Sequence, residues 1–257
     1  MDTTFRLPIF KQLVFRDILI NKQSTLIFFG VLTGVILLNG WLTHYDSQDP
    51  SQDILFHPRW YGILFMIIGL FQTASVYGEF KRSATLQEYL LLPASTFEKW
   101  ISRWFRSLPL YIITFTVAYW IASLVLNIVL YATTKAMLPF FNPFQAPIFE
   151  LWKWYVLIHS VFLVGAVHFN KNAIFKTLFV LFLLMVIYSI VGGGLQFLLL
   201  NPFEDEVYIH NNSFGWLGEF INQNSELVIT LIKGFVWFLL VPFFWVVSYL
   251  KLSEKEV

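Results

Sequence analysis

The sequence contains no cysteine and carries little charge for its length. Only 13% of its 257 residues are Asp, Glu, Lys or Arg, whereas a soluble domain carries roughly a quarter. The absence of cysteine excludes disulfides and thiolate-ligated metal sites within the chain. The formal net charge of +1 gives no global positive field of the kind that favours nucleic acid, so we expect no nucleic-acid partner.

Long apolar runs are what the sequence has in abundance. Hydrophobic residues make up 57% of the chain, with 29 Phe and 10 Trp among its aromatic residues. A helix of roughly 20 apolar residues crosses about 30 Å of hydrocarbon. The segments that meet this condition are residues 25–43, 61–78, 108–133, 152–169, 174–200 and 227–250. The sequence therefore predicts an all-α polytopic membrane protein with six spans, which form a single transmembrane domain over residues 1–257.

The positive residues indicate how the predicted spans are oriented, because Lys and Arg accumulate on the cytoplasmic side of membranes. Most of them lie before span one, between spans two and three, between spans four and five, or after span six. These residues are Arg6, Lys11, Arg16, Lys22, Lys81, Arg82, Lys99, Arg103, Arg106, Lys171, Lys176, Lys251 and Lys255. The opposite loops are acidic, as at Asp46, Asp49 and Asp53 and at residues 204–206. We therefore expect both chain ends in the cytoplasm.

The cytoplasmic stretch after the second span contains two capping boxes. Thr85 with Glu88 is spaced to begin one helix, and Ser95 with Glu98 to begin a second. Pro93 separates them, because proline has no backbone N–H and disfavours helix at the residue before it. The stretch predicts a short helix held across the membrane face, a sharp break, and a second helix that leads into the third span.

The predicted short helix covers residues 86–91. Leu86, Tyr89 and Leu90 stand at i, i+3 and i+4, so we expect them to form an exposed apolar face beside Lys81. Such a face suits docking into a groove of a cytoplasmic partner. The alternative is an interfacial helix whose Leu and Tyr side chains dip into the headgroups.

The six-span layout, the basic N-terminal segment and the loop sequence GEF…TLQEYLLLPASTFEKWISRWF together resemble the membrane (permease) subunits of type II ATP-binding-cassette exporters. The likeness is to the small bacterial six-span form with an LLPAS…EK signature. This resemblance implies that the loop forms a coupling helix seated in a cleft of a separate ATPase subunit. The coupling role would fall on Thr85, Leu86, Gln87, Glu88, Tyr89 and Leu90.

The resemblance also implies how the work is divided among subunits. ATP and Mg²⁺ would bind to the partner ATPase, so this chain would hold no cofactor and would not itself be an enzyme. A second membrane subunit would pair with it as a homodimer or heterodimer, surrounded by lipid in the bacterial inner membrane. Residues 5–22 occupy the position of the elbow helix, which in that family lies along the cytoplasmic membrane surface.

The N-terminal segment fits an elbow helix only in part. Its apolar side would consist of Ile9, Phe10, Leu13, Val14 and Ile20. Asp17 intrudes on that side, so a solvated helical extension of the first span is the alternative. In the last outward loop, residues 214–221 would form either re-entrant helices that cap an outer gate or an aromatic interfacial loop.

Isolated polar residues in the predicted spans can be interpreted as structural or as functional. Lys233 lies roughly 9 Å inside the last span, where it would snorkel to the headgroups or face a polar pathway or anionic lipid. Glu226 is its nearest candidate partner on that face. His159 and His168 are about 90° apart around a helix, which does not suit a facial metal pair. We expect His159 to form an interhelical hydrogen bond instead, and we expect no metal site.

Glycine and proline mark several features of the spans. Gly30 and Gly34 form a GxxxG pattern, which predicts close helix contact. Residues 192–194 are three glycines that would break the fifth span and provide either close packing or a hinge. Pro242 is expected to kink the sixth span, while Pro109 is expected in the first turn of the third.

No enzyme signature is present in the sequence, since it lacks H-E-x-x-H, G-x-S-x-G, a Walker A motif and a dinucleotide glycine pattern. The centres of the spans have no carboxylate, which disfavours a proton-coupled carrier. A lipid-modifying enzyme would need a polar constellation, and residues 204–206 with His210 read more simply as a solvated loop. Two functions remain: an ATP-driven exporter subunit, or a non-transporting membrane anchor or assembly factor for a cytoplasmic partner.

Overall fold

The chain is organised as a bundle of helices in a computed structural model, which describes residues 5–20, 22–46, 50–81, 83–135, 137–169, 171–200, 230 and 233–256. Within these ranges there is no β-strand, as predicted for an all-α protein. The helices are α1 (Leu7–Ile20), α2 (Lys22–Asp46), α3 (Pro50–Ala74), α4 (Ser83–Leu90), α5 (Thr96–Ser107), α6 (Pro109–Thr134), α7 (Ala146–His168), α8 (Ala173–Leu200) and α9 (Val241–Glu256). A 3₁₀ turn, Gly78–Lys81, precedes α4, and a π-helical stretch, Val236–Leu240, precedes α9.

Several of these helices are long and apolar enough to cross a membrane. Within the described ranges five stretches qualify: Thr25–Thr43, Thr96–Thr134, Ala146–His168, Ala173–Val191 and Lys233–Lys255. The first matches its predicted span, and the other four overlap the third, fourth, fifth and sixth predicted spans with different bounds. The chain therefore has the helices expected of a membrane protein.

The second predicted span, residues 61–78, lies in α3 but does not match its bounds. α3 begins earlier, at Pro50, and ends at Ala74. Its 25 residues are long enough to cross a bilayer. It is not among the five apolar stretches, because residues such as Pro58 and Arg59 lower the mean hydropathy of its first half.

The centre of the bundle is a column of aromatic side chains from α3, α6 and α7. Tyr61, Phe65, Phe115, Tyr119 and Tyr155 are each at most 1% exposed. The rings of Tyr61 and Phe65 stack with centroids 5.3 Å apart, and the ring of Tyr155 meets Phe65 edge-on at 5.0 Å. Each such pair contributes roughly 0.5–1.5 kcal/mol beyond its buried area. This column fixes α3, α6 and α7 against each other.

The hydroxyl groups of the column are hydrogen-bonded, which apolar surroundings require. The Tyr61 hydroxyl lies 2.8 Å from the hydroxyl of Thr116, and the Trp152 indole donates to it at 2.9 Å. The Tyr155 hydroxyl donates to the backbone carbonyl of Ser107 at 2.8 Å. These bonds make the packing of three helices specific, since a shift of one helix would leave a buried hydroxyl unpaired.

Close helix contacts occur at glycines outside the predicted GxxxG pattern, Gly69 and Gly165 among them. A Cβ built at Gly69 would lie against the rings of Tyr155 and Tyr111, and one built at Gly165 would overlap the Thr177 hydroxyl. Missing side chains at these positions let α3 and α8 approach α7.

The predicted glycine features differ from the structure. A Cβ at Gly30 or Gly34 would meet no atom within 4 Å, so this GxxxG pattern makes no close contact with the described residues. α8 continues as one helix through Gly192–Gly194 to Leu200, so the predicted break of the fifth span is wrong. Each glycine lowers helix propensity by about 1 kcal/mol relative to alanine, but a helix keeps the backbone hydrogen bonds that apolar surroundings would otherwise leave unmade.

Two prolines of the predicted spans lie in different helical positions. Pro109 is the first residue of α6, as predicted. Pro242 lies inside the continuous helical stretch 233–256, directly after the π-helical turn Val236–Leu240. The wider turn accommodates the missing N–H of the proline, and the kink of the sixth span stays a prediction.

Candidate functional site

α4 is a helix of eight residues that follows the 3₁₀ turn Gly78–Lys81. Thr85 is its third residue, and the Thr85 hydroxyl donates to the backbone carbonyl of Glu79 at 2.6 Å. The first predicted capping box, Thr85 with Glu88, is therefore wrong, because a residue already inside the helix cannot cap its start. The hydroxyl instead ties α4 to the turn before it.

Tyr89 points into the protein, and the prediction that it lies on an exposed face is wrong. The residue is 3% exposed, and its ring meets that of Phe80 edge-on at 5.3 Å. The cations of Lys99 and Arg103 lie 5.3 and 5.6 Å from the Tyr89 ring centroid. Leu86, on the same face, is half-buried and packs in the same cluster. Aromatic and cation–π contacts thus turn the apolar face of α4 inward.

The outer face of α4 is more polar than the sequence pattern indicated. Gln87 and Glu88 are exposed, and Leu91, directly after the helix, is 82% exposed. We call these three residues the α4 tip. Leu90 ends α4, and its side chain lies outside the described part of the structure. The α4 tip is what this helix offers to a partner.

The start of α5 is capped as predicted. The Glu98 N–H donates to the Ser95 hydroxyl at 3.2 Å, and the Ser95 N–H donates to Glu98 Oε2 at 2.8 Å. The second capping box is thereby confirmed. Glu98 Oε1 also accepts the backbone N–H of Arg6 at 2.6 Å, a contact that the sequence did not indicate. One fully buried carboxylate therefore holds the beginnings of both α1 and α5.

Four charged side chains meet behind α4 and form what we call the charge cluster: Asp17, Glu79, Arg103 and Arg106. Arg103 Nη1 lies 2.9 Å from Asp17 Oδ2, and Arg103 Nη2 lies 2.6 Å from Glu79 Oε1. Arg106 Nη1 lies 3.4 Å from the same Asp17 oxygen. The cluster joins α1, the 3₁₀ turn before α4, and α5.

The charge cluster pairs two carboxylates with two guanidinium groups, and a third guanidinium, that of Arg16, lies 3.3 Å from Asp17 Oδ1. The side chains of Arg103 and Asp17 are only 3% and 4% exposed, while that of Glu79 is 31% exposed. A buried ion that loses its partner costs several kcal/mol. Separation of α1, α4 and α5 would leave such ions unpaired, so we expect these elements to move together.

Asp17 is the member of the charge cluster that the sequence analysis noted only as a misfit on the apolar side of α1. That side faces α5, where Arg103 and Arg106 stand at i and i+3. The sequence does contain a signal for this ion pair. Asp17 is a carboxylate on an apolar helix face, and Arg103 and Arg106 lie on one face of another helix. Ile20, predicted on the same apolar side, is 69% exposed.

α1 is anchored on α5 by aromatic contacts as well as by charge. The rings of Phe10 and Phe105 lie 5.7 Å apart, and those of Phe5 and Phe97 lie 6.1 Å apart, both edge-on. Leu13 is buried between these contacts and Asp17. α1 therefore packs on α5. Residue 21, between α1 and α2, lies outside the described residues, so the choice between an elbow helix and a helical extension of the first span stays a prediction.

α5 also contacts the last helix. The Trp100 indole donates to the Ser248 hydroxyl at 2.8 Å, and the rings of Trp104 and Trp245 lie edge-on at 5.3 Å. Both polar partners are buried. α5 therefore connects α1, the turn before α4, and α9 at one end of the bundle.

His159 connects this end of the bundle to the aromatic column. Its Nε2 lies 2.8 Å from the Ser107 hydroxyl at the end of α5, and both residues are fully buried. The prediction of an interhelical hydrogen bond for His159 is confirmed. His168, the last residue of α7, is exposed. Within the described ranges no group of three His, Asp or Glu side chains is placed to hold a metal ion.

The remaining predicted residues are not brought together in the described structure. Lys233 is exposed at the start of the last helical stretch. Its suggested partner Glu226 and the outward segment 214–221 lie outside the described residues. The pairing of Lys233 with Glu226, and the choice between a re-entrant and an interfacial loop, stay predictions.

Comparisons with protein-family models, curated proteins and solved structures find no match to this chain. The function is therefore inferred from the structure itself, in particular from the α4 tip and the charge cluster behind it.

Proposed function

We propose that this chain is the membrane subunit of an ATP-binding-cassette exporter. In this proposal six helices, α3 among them, cross the bacterial inner membrane, and both chain ends lie in the cytoplasm. A separate ATPase subunit binds ATP and Mg²⁺, and a second membrane subunit, identical or related, pairs with this chain to line a path. The five long apolar helical stretches support the membrane part of the proposal.

The observation that carries the proposal is that the α4 tip is exposed while Thr85 and Tyr89 hold α4 against the protein. Tyr89 is buried under two cations, and Thr85 is bonded to the turn before the helix. A helix that served only as a flexible connection would not need a buried ion cluster behind it. A helix that receives force from a docked partner does, because the force must reach the spans without being lost in local bending.

A continuous chain of contacts leads from α4 into the spans. Glu79, before α4, is paired with Arg103 of α5. α5 ends at Ser107 and α6 begins at Pro109, so only Leu108 lies between them. The Ser107 hydroxyl and carbonyl are bonded to His159 and Tyr155 of α7. Displacement of α4 by a partner would therefore move α6 and α7 together.

The positive charges of this end support its placement on the cytoplasmic side. Lys99, Arg103 and Arg106 all lie in α5, next to α4. The exposed Arg6 directly precedes α1, and Lys251 lies on α9; α5 contacts both helices. Positive residues near span ends favour the cytoplasm. An ATPase subunit in the cytoplasm would then meet the α4 tip.

The experiment is co-purification of the tagged chain in mild detergent, followed by identification of associated chains and an ATPase assay. Glu88→Arg combined with Leu91→Asp changes two exposed side chains of the α4 tip and leaves the buried Tyr89 untouched. We expect the wild type to bring down a nucleotide-binding subunit, and we expect the double variant to lose most of it. The matched control is Glu254→Arg, which reverses an exposed carboxylate on α9, the helix that α5 contacts.

Two outcomes would contradict the proposal. If the wild type recovers no nucleotide-binding chain under gentle conditions, the coupling role of α4 fails, and the anchor or assembly-factor function takes its place. If Glu254→Arg releases the ATPase as fully as the double variant does, the loss reflects general surface charge and not the α4 tip.

A further inference from the structure

A cleft of about 330 Å³ lies where α7 turns into α8. Its walls are Phe169, Asn172, Phe175, Lys176, Phe179 and Val180. Asn172, Lys176 and Val180 follow each other at intervals of four residues, so they share one face of the helix. Phe169, from the end of α7, closes the cleft opposite that face. The cleft therefore combines an apolar wall with one cation and one amide at its end.

The cations at this turn have no counterion in the described structure. Lys171 and Lys176 are both exposed, and neither forms an ion pair with a described residue. The ammonium of Lys176 lies 5.6 Å from the centroid of the Phe169 ring. From residue 151 to residue 200 the sequence contains no Asp or Glu. Two lysines and the exposed His168 thus lie at the turn without a nearby carboxylate in the sequence, since the one acidic residue of α7, Glu150, is at the far end of that helix and pairs with Lys153.

The apolar wall continues from the cleft along α8. Leu183 and Ile187 follow Lys176 and Val180 on the same side of the helix, and they are 42% and 56% exposed. Eleven residues separate Lys176 from Ile187, which is about 16 Å of helix. This length matches roughly half of the 30 Å hydrocarbon core. The exposed side of α8 therefore offers a track for one acyl chain across one leaflet.

We propose that this cleft binds an anionic phospholipid of the cytoplasmic leaflet. The phosphate group lies between Lys171 and Lys176, the Asn172 amide donates to it, and one acyl chain follows Phe179, Val180 and Leu183 along α8. Charge complementarity selects the occupant, because basic pockets beside transmembrane helices on the cytoplasmic side suit anionic lipid headgroups. The proposal rests on the proposed orientation, which places this turn at the cytoplasmic surface, and not on the identity of the ATPase.

The test is native mass spectrometry of the full chain in mild detergent, titrated with phosphatidylglycerol or with phosphatidylcholine. We expect wild type to bind one phosphatidylglycerol more tightly than phosphatidylcholine. Each lysine near an anionic headgroup contributes about fivefold in affinity, so Lys171→Gln with Lys176→Gln is expected to weaken that binding about 25-fold. Both side chains are exposed, so the variant keeps its fold.

A second variant tests the apolar wall with all charges kept. Val180→Trp fills the cleft and is expected to weaken phosphatidylglycerol binding while the melting temperature in detergent stays unchanged. The matched control is Lys135→Gln, which removes an exposed lysine that lies 5.2 Å above the Tyr131 ring at the end of α6.

Three results would overturn the proposal. Equal weakening by Lys135→Gln would show that any interfacial lysine acts alike. Displacement of the bound phosphatidylglycerol by inorganic phosphate alone, with Val180→Trp silent, would assign the lysines to free phosphate. Equal affinity for both lipids would remove the anionic selectivity. None of these results depends on recovery of an ATPase, so the cleft and the proposed function fail separately.

Discussion

Replacement of Arg103 with methionine is the sharpest test of the charge cluster. Methionine keeps most of the apolar stem of arginine but removes the guanidinium group. That group is 3% exposed and lies 2.9 Å from Asp17 and 2.6 Å from Glu79. The change removes the shortest of the ion pairs described for Asp17, while Arg106 at 3.4 Å and Arg16 at 3.3 Å remain.

The structure sets the size of the effect. Removal of one partner from a buried ion pair costs about 3–5 kcal/mol. Two features place Arg103→Met at the lower end of this range: Asp17 keeps two weaker partners, and Glu79 is 31% exposed and can be hydrated. We expect a loss of about 3 kcal/mol, a large part of the roughly 5–15 kcal/mol by which a folded protein is stable.

A double-mutant cycle isolates the pair from other effects of the substitution. Asp17→Asn alone leaves Arg103 bonded to Glu79. Once Asp17 is neutral, the removal of Arg103 no longer strands a buried carboxylate. The double variant is therefore expected to be more stable than the sum of the single losses predicts, by about 1–3 kcal/mol.

The assay is equilibrium unfolding in mixed micelles, followed by the fluorescence of the tryptophans. Trp100 and Trp104 lie on α5, the helix that carries Arg103. The control is Lys251→Met, which removes an exposed i, i+3 ion pair and is expected to cost less than about 1 kcal/mol. Equal losses for Arg103→Met and Lys251→Met, or strict additivity in the cycle, would refute the view that the cluster is a buried unit.

Three further predictions test the packing and the caps. Gly165→Ala is expected to destabilise the protein by about 1–3 kcal/mol, because its methyl group would overlap Thr177. Gly34→Ala is expected to be neutral or slightly stabilising, because a Cβ there meets no atom within 4 Å. The melting temperatures of the two purified variants test this difference, and equal values would contradict it. Ser95→Ala is expected to cost about 1 kcal/mol through loss of the helix cap, measured by the same unfolding assay, and a loss below the experimental error would count against the cap. Trp100→Phe removes the indole donor to Ser248 and is expected to cost about 1 kcal/mol and to speed hydrogen exchange in α9, which an unchanged exchange rate would disprove.

Features that depend on nearby residues could be predicted from the sequence. The long apolar stretches identify the candidate spans because length and composition alone decide whether a helix suits hydrocarbon. The Ser95–Glu98 capping box was predicted because its two hydrogen bonds close within four residues. The hydrogen bond of His159 could be expected in kind, since a buried imidazole needs a partner, but its partner Ser107 could not be named.

Features that depend on contacts between distant residues were either not predicted or predicted with the wrong orientation. Periodicity grouped Leu86 and Tyr89 on one face of α4 correctly, but it could not say whether that face points inward or outward. The answer depends on Phe80, Lys99 and Arg103, whose positions are set by the tertiary fold. Asp17 looked like an interruption of an apolar face for the same reason, because Arg103 supplies its partner from another helix.

The bonds of Glu98 have a consequence for the order in which the chain is made. Its carboxylate accepts the backbone N–H of Arg6, 92 residues earlier in the chain. A ribosome that adds about 5–20 residues per second needs roughly 5–20 s to cover that distance. Throughout this interval α1 has been synthesised while Glu98, Arg103 and Arg106 have not. During biosynthesis the contacts of α1 with α5 therefore cannot form until α2, α3 and α4 have been synthesised.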